Sequence, residues 1–207
     1  MTRTYRTFNY PDQQTGGKTL LTGIRQVSGS TKEALISGWY QAPNNGKTTP
    51  FVYKGGIYGN GTFHVINYPS AQHANVVATN WYGPNNGENG HIQVVGNYFT
   101  LESPNTAKGA LYVGPLNGSG EFRTLLPTSV EPVINVIAHS TMGGLVVGNY
   151  DTNLIQGKAF IYDIKSDIYV EITKPGAKSL TAYGIWHNGG HHYTILVDTQ
   201  ILILQQE

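Results

Sequence analysis

Three residues are equipped for chemistry: Arg25, a permanent cation, and His139 and His187, whose imidazoles change charge near neutral pH. They fall near the ends of short apolar runs. Four such runs end in Arg25-Gln26, Asn80-Trp81, Ser140-Thr141 and Trp186-His187, with His139 one residue before the third pair. Segments built on one plan for packing alone would keep equivalent residues alike, and these differ. The expectation is that Arg25, Asn80, Trp81, His139, Trp186 and His187 line one mouth of a cavity. There they would bind a small ligand. In an enzyme, Arg25, His139 and His187 would instead polarise or shuttle protons while Trp81 and Trp186 shape the pocket. The same side chains would also serve simply to fill a narrow space.

A second set recurs as a motif. Val95-Gly96-Asn97-Tyr98 and Val147-Gly148-Asn149-Tyr150 are near-copies, and Ser37-Gly38-Trp39-Tyr40 is a weaker third. Tyr40, Tyr98 and Tyr150 would form a partial aromatic ring at the opposite mouth, with His73, Glu131 and Asp151 nearby. A phenol has an apolar face and a polar tip, which suits sugars and aromatic ligands. A Tyr repeated at one place also suits packing, its hydroxyl bonded to backbone.

Other motifs carry less. His187-Asn188-Gly189-Gly190-His191-His192 has imidazoles but no neighbouring Cys, Asp or Glu, and one hairpin turn supplies poor ligand geometry, so no metal site is assigned. No Gly-rich loop stands between a strand and a helix, and no nucleophile elbow is present, so no cofactor is assigned. Asn60-Gly61-Thr62 and Asn117-Gly118-Ser119 are glycosylation sequons, but Asn-Gly is also a favoured hairpin turn. The stretches Pro43-Asn44-Asn45-Gly46 and Pro84-Asn85-Asn86-Gly87 read as turns.

Composition narrows the partners. Charged residues are 12% of 207, about half the usual share, and the formal net charge is +1. Without a basic patch there is no electrostatic footprint for nucleic acid. No apolar run is long enough for a membrane-spanning helix. Cys is absent. The N-terminus lacks an apolar signal core, which fits a cytosolic protein or a mature secreted domain carrying an added Met.

The elements that position these residues are strands. Runs of Val, Ile, Tyr, Thr and Phe are broken at short intervals by Gly, Pro and Asn, the all-β pattern. Four kinds of run recur in fixed order, giving units at 19–68, 75–126, 133–173 and 180–206. Pro11, Pro69, Pro127 and Pro175 each follow a run of the fourth kind. The fourth unit lacks its last strand, and residues 3–10 would supply it, with 200–206 as that unit's third strand. The expectation is a single four-bladed β-propeller, four antiparallel strands per blade, the N-terminal strand completing the last blade. A β-sandwich would hold as many strands without explaining the Pro register.

The third unit, with Val147-Gly148-Asn149-Tyr150, Ala159-Phe160-Ile161-Tyr162, Pro175-Gly176-Ala177 and Thr181, resembles the bacterial HAF-type extracellular repeat. The other units depart from it, with Val197-Asp198-Thr199 and Pro127-Thr128-Ser129 where the motifs should stand. That resemblance implies a propeller-like repeat and an extracellular or periplasmic location, and it transfers no catalytic residues. Three functions remain open from sequence: a non-catalytic module binding a small molecule or glycan, a propeller-fold lyase or cyclase, and a protein-interaction scaffold. Oligomeric state stays open.

Overall fold

Branched and aromatic residues fill the runs and prefer pleated surfaces, while Gly, Asn and Pro between them suit turns. The computed structural model describes residues 7–11, 14–44, 46–70 and 75–201. Within them lie fourteen strands and a single 3-10 turn, Glu88–Gly90. Sheet I comprises β1 (Lys18–Gln26), β2 (Glu33–Gln41), β3 (Thr48–Gly56) and β4 (Thr62–Val65). Sheet II comprises β5 (Val76–Asn86), β6 (Ile92–Thr100), β7 (Ser103–Gly114) and β8 (Glu121–Leu125). Sheet III comprises β9 (Val133–Met142), β10 (Leu145–Thr152), β11 (Lys158–Asp163) and β12 (Ile168–Ile172). Sheet IV has β13 (Ala177–Gly189) and β14 (His192–Ile201). Every sheet is an antiparallel meander in chain order.

The sheets pack face to face in series. Leu35 and Val52 of sheet I meet Trp81, Val94 and Tyr98 of sheet II. Val95 and Leu111 on the other face of sheet II meet Val136, Val146 and Phe160. Val147 and Ala159 then meet Leu180, Ala182 and Ile185. Phe8 and Tyr10 cover the far face of sheet I, against Phe51 and Tyr53.

Four expectations shift. β4 ends at Val65 rather than 68, because Ile66 and Tyr68 leave the sheet to enter the core shared with sheet II. Pro84-Asn85-Asn86 extends β5 instead of turning; β5 is an edge strand, where a missing N–H costs no ladder bond. Residues 7–10 form no strand, and the remainder of the expected strand at 3–10 lies outside the described residues. Gln200 and Ile201 continue β14, paired with Ser179 and Ala177, so no third strand begins there; 202–206 lie outside the described residues.

Candidate binding site at the seam between the first and last sheets

The first strand of every sheet is an edge, and β1, β5, β9 and β13 pack side by side in that order. Each carries a bulge at the same place in its ladder: Thr22, Tyr82, His139 and Tyr183. A bulge swings its side chain out of the pleat and twists the strand, and such residues favour functional regions. The residue that follows is small. A Cβ on Gly23 would lie 2.1 Å from the Tyr82 carbonyl oxygen, and one on Gly83 would lie 2.5 Å from that of His139. Backbones therefore touch at these two joints. The Thr22 hydroxyl donates to the Trp81 carbonyl (2.6 Å) and Ser37 Oγ to the Tyr82 carbonyl (2.8 Å), fastening sheet I to sheet II.

His139 sits between two other bulge residues, its ring centroid 5.6 Å from Tyr82 and 4.8 Å from Tyr183. Its Nε2–H donates to Asn149 Oδ1 at 2.9 Å. Burial pushes its pKa below the ordinary imidazole value, with the Asn149 bond opposing, so the ring is neutral at pH 7.

β13 and β1 make no such backbone approach. A Cβ on Gly184 would meet only Leu196 Cβ, at 3.7 Å. Side chains bridge this seam instead: the Arg25 guanidinium carbon is 5.6 Å from the Trp186 ring centroid. The seam is apolar and open, with Ile24, Tyr183 and Trp186 at least half exposed. Arg25 Nε is buried without a hydrogen-bond acceptor, and Arg25 forms no ion pair among the described residues. Burial pushes its pKa down. A desolvated cation without a counter-charge, beside an open indole face, is equipped to receive an anion.

The other expected residues go elsewhere. Trp81 is wholly buried in the core between sheets I and II, its Nε1–H donating to the Ile66 carbonyl (2.7 Å). Asn80 pairs with Asn97 across β5 and β6, and both Oδ1 atoms are buried without a donor. His187 stacks on Tyr193 at 4.8 Å and its Nε2 bonds the Gly190 carbonyl. Tyr40, Tyr98 and Tyr150 are buried, offering no ring to a ligand. The Tyr40 hydroxyl oxygen accepts the Gln14 N–H, Tyr98 pairs with Thr124, and Tyr150 donates to Glu171. Glu131 accepts from Thr152 and Asp151 from Gly157, while His73 lies outside the described residues.

Of the expected mouth, then, Arg25 and Trp186 meet and His139 lies deeper. The bulge register pairs Arg25 with Asn85, Met142 and Trp186, not with Asn80 and Ser140. The sequence held the signal that was missed, a residue followed by Gly or Ser in every first strand: Thr22-Gly23, Tyr82-Gly83, His139-Ser140 and Tyr183-Gly184. Comparison with family models, curated proteins and solved structures yields no match.

Proposed function

We propose that the chain is a non-catalytic binding module for a small acidic ligand with a flat or apolar face, such as an aromatic carboxylate or a sugar acid. The observation that carries this reading is the unpaired Arg25 facing the open Trp186 ring. The carboxylate would bond the guanidinium while the ligand's face lies on the indole. The enzyme reading needs Arg25, His139, His187, Trp81 and Trp186 in one pocket. Trp81 is in the core and His187 is turned to its own hairpin, which favours binding over catalysis.

The architecture proposed with it is a four-bladed propeller, as the HAF-type resemblance implies, with the seam as the joint between its last and first blades. It is supported by Phe8 and Tyr10, which cover sheet I as Ile66 and Tyr68 cover sheet II.

Tryptophan fluorescence tests the site: of the three tryptophans Trp81 is buried, Trp39 is half-buried against Tyr82, and Trp186 is 56% exposed. Titration with benzoate and with glucuronate should give a saturable change for at least one, weakened by salt and abolished by Arg25→Met. No saturable change with either, or one unaltered in Arg25→Met, rules the reading out.

A further inference from the structure

We infer that the groove between sheets II and III is a separate binding site for a neutral saccharide, lined by neither Arg25 nor Trp186. The groove holds about 780 Å³, within the usual range for small-molecule sites. Asn85 carries the inference. It is only 7% exposed and lines this groove, yet its amide makes no hydrogen bond among the described residues. Neither of its amide atoms is among the buried side-chain atoms without a partner, so both reach the open space of the groove. The core beneath is apolar, built on Val95 and Leu111, so whatever bonds this amide comes from the groove.

Gln93 is the cross-strand partner of Asn85 and so lies on the same face. Its Oε1 accepts a long 3.4 Å bond from Thr141, and its Nε2 donates to no described residue. At the same ladder position sheets I and III carry Leu35 and Leu145, opposite Arg25 and Met142. Sheet II alone sets two amides side by side there. The rim opposite is the β9–β10 turn, Gly143-Gly144, at φ of 60° and 81°, which adds no side chain to close the opening.

The lining chooses the ligand. Glu88 and Asp163 oppose Arg123 and Lys165, so formal charge cancels. Arg123 is already committed, its Nε to Glu121 and its Nη1 to the Ile164 carbonyl. An amide offers a donor and an acceptor together, the complement of adjacent sugar hydroxyls, each of which does both. A peptide would need apolar pockets for its side chains, and Ile164 is the one apolar residue in the lining.

The test is a titration of isotope-labelled protein, followed by NMR, with the methyl glycosides of glucose, galactose, mannose and N-acetylglucosamine and their disaccharides. Shifts should centre on the Asn85 and Gln93 side-chain amides and on Gly87, Gly144 and Lys165. Gln93→Leu, which installs the residue of sheets I and III, and Asn85→Ala should each weaken binding at least tenfold. The inference is overturned if no saccharide moves those signals at millimolar concentration. It is equally overturned if affinity survives both substitutions, or if acetate and phosphate move the signals and the glycosides do not. Should Asn85→Ala unfold, Gln93→Leu decides alone.

Discussion

The ring of Tyr68 lies parallel to that of Tyr98, centroids 4.0 Å and planes 7° apart, and Tyr10 stands to Tyr40 in the same way at 5.4 Å and 9°. The backbone repeats too. Tyr68 N–H donates to Thr79 Oγ1 (3.1 Å) and Tyr10 N–H to Thr19 Oγ1 (3.0 Å). The chain entering each of these sheets is pinned by one stacked ring and one threonine. Burial pushes the Tyr68 hydroxyl up to about 12, so it stays neutral in any ordinary buffer. At the third joint Leu126 and Val136 replace the Tyr and Thr, and Leu126 N–H donates to the Tyr169 hydroxyl instead.

Tyr68→Ala should therefore cost about 3–5 kcal/mol, the range for emptying an aromatic site in a core. Tyr68→Phe should cost about 1 kcal/mol, because it removes the bond to Thr124 and keeps the stack. Leu126→Ala, at the matching but exposed place, should stay within about 0.5 kcal/mol. Urea unfolding of the three variants checks the order; a Leu126→Ala as damaging as Tyr68→Ala would mean that the joints are not built differently.

The glycines after the bulges predict a second contrast. Gly83→Ala must displace the backbone of His139 and Ser140, both within 2.7 Å of the new carbon, and should lower thermal stability sharply. Gly184→Ala meets nothing closer than 3.7 Å and should be neutral or slightly stabilising, since Gly is a poor strand residue. Melting temperatures of the pair measure how open the seam is. Equal losses would place the first and last strands in backbone contact like the others.

Much of the strand plan was legible because period-two runs and Gly-Asn-Pro breaks report local structure, and Tyr98 and Tyr150 marked the repeat correctly. Their role was harder to read: a recurring Tyr looks the same whether it faces a ligand or a neighbouring sheet, and both are buried. The site was blurred because apolar pairs are a poor anchor between strands of unequal length. They match Arg25 with Asn80, five residues short of Asn85, its equivalent in the ladder, and the bulge that fixes the true register is visible in the strand pairing. Asn85 itself was hidden in a Pro-Asn-Asn-Gly stretch with the composition of a turn, and only its place on an edge strand lets it stay extended.

Arg25→Met separates binding from folding. Sheet III carries Met142 at this position, so Met suits the ladder. The substitution removes a buried Nε–H that has no acceptor, and stability should hold or rise by about 1 kcal/mol. Benzoate or glucuronate binding should vanish in the same protein. A loss of stability instead would assign Arg25 to holding the first and last sheets together.

His139 predicts the pH dependence. Its folded pKa lies below the ordinary value of about 6.5, through burial first, while the unfolded chain keeps that ordinary value. Above about pH 7 the ring is neutral in both states and its contribution is complete. As pH falls through about 6.5, the unfolded chain takes up a proton that the folded chain refuses. Stability therefore drops toward acid, with a slope of up to about 1.4 kcal/mol per pH unit, until the folded pKa is reached. Of the ring's neighbours, Tyr82 has its pKa raised by burial and Asn149 carries no titrating group, so neither adds charge near neutrality. His64 is shifted the same way, by burial and by Lys54, so the wild-type slope includes its share as well as that of His139. His139→Gln should remove one share and His64→Gln the other, read as urea midpoints from about pH 7.5 to about pH 5.5. A His139→Gln profile parallel to wild type would mean that this imidazole is as free to take a proton in the fold as in the open chain.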